Sequence, residues 1–471
     1  MAFNSYSYLV ALLCVVVCYW LIPTAWRKWF LLLCGAAFYA SWSPYYIALP
    51  GLVGALAWWC ARGMLADQAR LRFWMRLVIV SALLLLAYFK YSAFLWRTLA
   101  GSATQVPAWL AVAMPLGISF YVFEVIGFLV DVKQKRVKAP ALADVCSLTM
   151  FWPCLTSGPI LRFRELVPQL NAARRFDLAT AVNGIDRLMT GLVQKNFIAN
   201  SLGSIVAEGF LPKAAAANST LDNWAMAVAY GLQVYFDFAG YTNMAIGSAR
   251  LLGLTLPENF RFPYHAANPS DFWSRWHMSL SRWIRDYLFF PINARYQGAP
   301  LPLYASLIGI MALVGLWHGA GWGFVAWGAM HGAYLVLYRV WERVCTGRPG
   351  WAEAWLARWG WRVLTLAAVT LAWVPFRAVS LDQSLRMLGS MIAGFDLRLS
   401  YNVNSYLVIA LAALLCAVEP LLDALQKRLG EPTGAAAALR FWVWRPLAWA
   451  CALLLFLIFD DRDAQFIYFQ F

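Results

Sequence analysis

Apolar runs close to the length of a membrane-crossing helix recur from one end of this chain to the other. They lie near residues 5–22, 29–43, 46–61, 77–97, 107–131, 142–160, 180–207, 222–254, 302–318, 320–341, 361–376, 403–424 and 441–459. A bilayer core takes about 20 apolar residues in helical form, fewer where a segment is re-entrant or buried in protein. The chain is therefore expected to be an all-α, polytopic integral membrane protein with about 11–13 transmembrane or re-entrant helices. Composition agrees, since 62% of the 471 residues are hydrophobic and only 13% charged, with 26 Trp, 30 Phe and 21 Tyr. Such a chain cannot cover a water-facing surface with polar groups. This excludes a disordered chain, a secreted disulfide scaffold and a cytosolic nucleotide-binding enzyme. The first apolar stretch lacks a basic leader and runs on into further spans, so it is expected to stay as a helix.

The net charge of +15 reads as loop arginines and lysines beside anionic lipid. No basic segment stands outside a hydrophobic context, and no nucleic acid partner is expected. Arg27 and Lys28, then Arg62, Arg70, Arg72 and Arg76, then Lys133, Lys135, Arg136 and Lys138 fall two spans apart each time, whereas loops 44–46 and 98–106 carry no charge. By the positive-inside bias the basic loops are cytoplasmic and the N-terminus faces outward. Of nine cysteines, Cys14, Cys18, Cys34, Cys416 and Cys451 sit in apolar runs and no pair has C-x-x-C spacing, which argues against disulfides and structural zinc. With no internal repeat and no stretch able to fold as a soluble domain, residues 1–471 are treated as one unit.

All four histidines, His265, His277, His318 and His331, fall within 265–331. An ionisable group at membrane depth is costly unless it meets a partner or a cavity, so the clustering points to a site. Around His277, Asn268 or Ser270 can cap a helix, with Pro269 suited to its first turn and Asp271 near the positive end of the dipole. A continuous helix to Tyr287 would put Arg275, Ser279, Arg282 and Asp286 on one polar stripe, and Trp273, Trp276, His277, Leu280, Trp283, Ile284 and Tyr287 on an aromatic, buried face. A buried histidine more often satisfies one hydrogen bond than performs chemistry. The basic stripe suits the headgroup region equally well.

His318 and the preceding Trp317 stand among Gly315, Gly319 and Gly323, with Gly328 and Gly332 beyond, a spacing that allows close helix approach or a helix break. A straight helix through 318–331 would hold its two histidines ~20 Å apart, so one is expected at the chemistry and the other to be structural. Near-neutral imidazole in a low-dielectric cavity suits a general base. Upstream, Asp237, Tyr241 and Asn243 put an acid, a phenol and an amide in an apolar span. Asp237 requires a partner, such as Arg250 or Arg275, and a structural ion pair is the readier explanation. No two histidines have i,i+3 or i,i+4 spacing, and no metal is expected.

Several ordered motifs together resemble the membrane-bound O-acyltransferases, in the bacterial alginate O-acetyltransferase-type branch that includes cellulose-acetylating and D-alanyl-transferring relatives. They are Tyr235-Phe-Asp-Phe-Ala-Gly-Tyr-Thr-Asn-Met-Ala-Ile-Gly247, Pro257-Glu-Asn-Phe260, Phe272-Trp-Ser-Arg-Trp-His-Met-Ser-Leu-Ser-Arg-Trp-Ile-Arg-Asp-Tyr287 and Gly315-Leu-Trp-His-Gly319. Phe89-Lys-Tyr91, Pro115-Leu-Gly-Ile-Ser-Phe-Tyr121, Asp131-Val, Ser157-Gly-Pro-Ile160 with Arg162, and Trp373-Val-Pro-Phe-Arg377 also fit, so the likeness covers nearly the whole chain. Pro375 departs from it, where a bulky apolar residue is expected.

The resemblance implies a multi-helix fold around a central funnel, a catalytic core over about 110–340, His318 as the essential histidine and His277 as the second, buried one. Asp237, Tyr241, Asn243, Arg275, Trp276, Arg282, Asp286, Trp317 and His331 are supporting candidates. It further implies a cytoplasmic acetyl donor, acetyl-CoA, with no permanently bound cofactor, and transfer across the inner membrane to a periplasmic SGNH-hydrolase-like partner that acetylates an exopolysaccharide of cellulose or alginate type. His318 would act as general base or carry the acetyl transiently. Arg275, Arg282 and Arg285 could attract an anionic donor. Two other readings are D-alanyl transfer to teichoic acid and a non-enzymatic export component, against which the packed glycines and the lack of inverted halves weigh.

Overall fold

The computed structural model describes residues 3–42, 44–101, 104–294, 299–345, 355–429, 434–459 and 466–467, whose regular elements are all helices, with no strand among the described residues. Six of these helices are long and apolar enough to cross a bilayer: Pro44–Ala66, Leu71–Ala100, Pro300–His318, Trp359–Arg377, Val403–Leu425 and Ala436–Ile458. The remaining apolar stretches are shorter, broken or more polar. The chain forms two compact units, one of Met1–Leu188 with Tyr241–Glu258, the other of Met189–Gly240 with Asn259–Phe471.

In the first unit the apolar run 107–131 becomes helical only at Ile118, after Gly117 takes a left-handed conformation (φ +70°). Pro107 and Pro115 withhold two backbone donors from the preceding stretch. Ile118–Lys133 is buried along most of its length, and its Asp131 is paired with Arg136 at 3.2 Å and Arg164 at 3.7 Å. The run 142–160 is not one span. It divides into Leu142–Thr149 and Trp152–Leu155, followed by a buried non-helical Ser157-Gly-Pro segment. Such backbone is tolerated at depth only when enclosed by protein. Gly35 is required here, because any Cβ would run into the carbonyl of Met150.

In the second unit Pro300–His318 and Trp322–Cys345 form a tight hairpin. Its closeness explains the four-residue glycine spacing. A Cβ on Gly328 would overlap the Met311 carbonyl, and one on Gly315 would overlap that of Phe324. Small residues let the two backbones touch, and dispersion over the seam replaces the hydrophobic drive that lipid does not provide. Pro375, the departure from the family pattern, lies inside Trp355–Arg377, and its carbonyl packs on Gly323. The amphipathic helix Leu381–Ala393 is absent from the apolar runs because Asp382, Gln383, Ser384 and Arg386 lower its hydropathy.

Candidate functional site

The segment that carries His277 is two helices, Pro269–Arg275 and Met278–Ile284, rather than the single helix expected to Tyr287. Its start is as the sequence indicates: the Asn268 side chain accepts the Asp271 N–H and Pro269 occupies the first turn. It breaks at His277, which is fully buried and takes a left-handed conformation (φ +41°, ψ +55°). A non-glycine residue there costs about 1–2 kcal/mol, so surrounding contacts must hold it. The non-helical segment Asn259–Arg261 supplies them. The Asn259 carbonyl accepts the Met278 N–H at 2.8 Å, its Oδ1 accepts the Ser279 N–H at 3.2 Å, and the Arg261 N–H donates to the Arg275 carbonyl at 3.0 Å.

The break dissolves the proposed polar stripe. Arg275 donates to Asp271 at 2.8 Å, Arg282 to the Met278 carbonyl at 3.3 Å, and Asp286 pairs with Arg285 at 3.2 Å within a wider helical turn, Arg285–Phe289. Burial works against the Asp271 carboxylate, but hydrogen bonds from Arg275, the Ala267 N–H and Ser274 prevail and hold it below its ordinary range.

His318 is the last residue of the first hairpin helix, and the chain turns at 319–321. Because the second helix folds back on the first, the ~20 Å separation expected along a straight helix does not arise. The ring of His318 lies 5.1 Å from that of Trp327, and the ring of His331 lies 4.9 Å from the same indole. His318, His331 and His277 are 4%, 2% and 0% exposed. His277 contacts Phe238 at 4.6 Å, edge to face, and stands 6.5 Å from Trp317, which adjoins His318 at 4.8 Å. Trp276 packs on Phe260 at 5.1 Å and Trp373 at 5.2 Å, while Phe376 closes on His318 at 5.6 Å. Three imidazoles thus share one aromatic enclosure. His265 stands apart from this role, with Nε2 3.2 Å from the Cys416 carbonyl.

Asp237 is paired neither with Arg250 nor with Arg275. Lys195 Nζ lies 2.5 Å from its Oδ1, and the Ile467 N–H donates to Oδ2 at 3.0 Å. Arg250 is taken up by Asn183 and Glu258, and Arg275 by Asp271. Lys195 reaches Asp237 from the widened turn Val193–Ala199, and Gly240 permits the approach because a Cβ there would meet the Lys195 backbone N at 2.9 Å. Sequence reasoning missed Lys195, although a lysine inside the apolar run 180–207 was the available signal. It also missed Trp327 and Trp373, which nothing in their spacing separates from packing residues. Tyr241 and Asn243 belong to the first unit, where the Tyr241 hydroxyl shares a short hydrogen bond with Thr156.

A buried neutral imidazole in such an enclosure can take the proton of an attacking hydroxyl, since no bulk water competes for it. Among the described residues, no three His, Cys, Asp or Glu side chains come together as a metal site would require.

The sequence profile of the membrane-bound O-acyltransferase family matches residues 74–371. A probable alginate O-acetylase of Azotobacter vinelandii is 38% identical over 395 residues, covering 81% of this chain and 76% of the relative. A peptidoglycan O-acetyltransferase of Helicobacter pylori is 30% identical over 403 residues, 79% of this chain and 74% of the relative. A teichoic acid D-alanyltransferase of Streptococcus thermophilus is 30% identical over 238 residues, 48% and 57% respectively. With its several membrane-crossing helices and this match over more than half its length, the chain belongs to the membrane-bound O-acyltransferase family and is a multi-pass membrane O-acyltransferase.

Proposed function

We propose that this enzyme takes acetyl from acetyl-CoA on the cytoplasmic side of the inner membrane and passes it outward for O-acetylation of an exopolysaccharide of alginate or cellulose type. A periplasmic SGNH-hydrolase-like protein receives the group and esterifies the polymer, and the N-terminus of the chain is periplasmic. The observation that carries the reading is the gathering of His277, His318 and His331 in one buried aromatic enclosure, with His277 held in a left-handed conformation. Strain of that kind persists where the surroundings impose it, and it gathers at working sites.

In this mechanism His318 accepts the proton of the acceptor hydroxyl. The oxygen attacks the thioester carbonyl, the C–S bond breaks, and the proton passes to the departing thiolate. Coverage of the relatives named as O-acetyl enzymes, about 80% of this chain, favours acetyl over D-alanyl, where the match is to 48%. The test is His318→Ala in the native host, with polymer ester content and membrane protein level measured together. Loss of ester at unchanged protein and polymer levels is expected. Normal esterification overturns the reading, and reduced secretion with normal esterification per residue points to an export role.

A further inference from the structure

A cavity of about 450 Å³ opens at the far end of the hairpin from His318, lined by Ser270, Asn293, Tyr304, Arg339, Glu342 and Arg343 together with the start of Pro300–His318. No residue of the histidine enclosure lines it. Arg339 and Arg343 are one helical turn apart on the same face of Trp322–Cys345. No hydrogen bond or ion pair from the described residues reaches either guanidinium, although Arg339 rests 5.5 Å from the Phe289 ring, which orients it without consuming its N–H donors. Asn293 accepts from Ser306 at 3.0 Å through Oδ1, while its buried Nδ2 has no partner among the described residues. The first turn of the hairpin helix adds the positive end of its dipole. The one acid on the wall, Glu342, shares a hydrogen bond with Tyr338. The wall is thus rich in unspent donors and net positive.

From this we infer that the cavity is a binding site for the phosphodiester headgroup of an anionic phospholipid. Two guanidiniums a turn apart suit phosphate, which accepts paired N–H bonds. The volume exceeds what a bare phosphate fills and suits a glycerophosphate headgroup. The surroundings select lipid over a soluble phosphate: Leu301 is 78% exposed and Leu337 63%, and Phe290, Val340 and Val344 are exposed too. They leave an apolar surface beside the cavity that acyl chains would cover and a nucleotide would not.

The experiment uses the full chain purified in neutral detergent, with phosphatidylglycerol, phosphatidylcholine, inorganic phosphate and glycerol 3-phosphate as separate probes. Native mass spectrometry reads retained lipid and thermal unfolding reads stabilisation. Phosphatidylglycerol is expected to be retained in preference to phosphatidylcholine and to raise the wild-type melting temperature. The double variant Arg339→Gln/Arg343→Gln is expected to lose on the order of ten-fold or more in phosphatidylglycerol affinity, as removal of charge-assisted hydrogen bonds implies. An equal effect of phosphatidylglycerol on the double variant overturns the inference, as does full reproduction of the stabilisation by inorganic phosphate or glycerol 3-phosphate. If the double variant does not fold, competition on the wild type decides, and equal retention of the two lipids overturns the inference.

Discussion

Lys195 and Asp237 form an ion pair 2.5 Å long whose side chains are 4% and 2% exposed. Both charges come from apolar helical segments, and each would be intolerable at that depth without the other. The pair ties the widened turn at 193–199 to the long helix Thr220–Leu251 at the position one turn before Gly240.

Removing either partner leaves an uncompensated buried charge. Lys195→Met or Asp237→Leu should each destabilise the protein by roughly 3–5 kcal/mol, whereas the double replacement should recover much of that loss. Thermal unfolding of the purified variants in detergent measures this. Single variants as stable as the wild type would contradict the pairing.

His277 sets the backbone geometry of the break between Pro269–Arg275 and Met278–Ile284. Glycine adopts φ +41° freely, so His277→Gly should be more stable than His277→Ala by about 1 kcal/mol, against the usual order. Both should lose acyl transfer under the proposed role. Paired melting curves and ester assays on the two variants separate the backbone term from the imidazole.

His331 stacks on Phe272 at 5.8 Å and 11°, and its buried Nε2 has no hydrogen-bond partner among the described residues. His331→Phe should keep the stacking and remove an unsatisfied polar atom, so stability should be equal or higher by about 1 kcal/mol. Activity should fall far less than in His318→Ala. A loss matching His318→Ala would move His331 to the centre of the chemistry.

Gly328→Ala should force the hairpin apart, because the added carbon meets the Met311 backbone and no flexible side chain can yield. A cost near 3 kcal/mol is expected for overpacking of this kind. Gly309→Ala, on the same hairpin but with open space around it, is the control and should be neutral or stabilising. Folded yield and melting temperature of the two report the difference.

Much of the fold was legible along the chain because burial in a bilayer is a one-dimensional signal: run length and hydropathy reveal Leu71–Ala100 or Val403–Leu425 without any partner. The same signal misjudged 107–131 and 142–160, where apolar composition persists through Gly117 and the proline-containing 152–160 stretch while the backbone does not stay helical. It passed over Leu381–Ala393, whose apolar face is diluted by its polar one.

By itself the sequence determined that this is an all-helical membrane protein, that its ionisable residues are few enough to be informative, and that His277 and His318 sit in motifs of the acyltransferases. Only the tertiary structure decided that His318 and His331 share one indole, that His277 breaks its helix, and that Asp237 is paired with Lys195. The reason is physical. Hydropathy and periodicity act over neighbours in the chain, whereas a turn at three residues or a buried charge seeking its partner is settled by long-range packing, which the linear pattern does not encode.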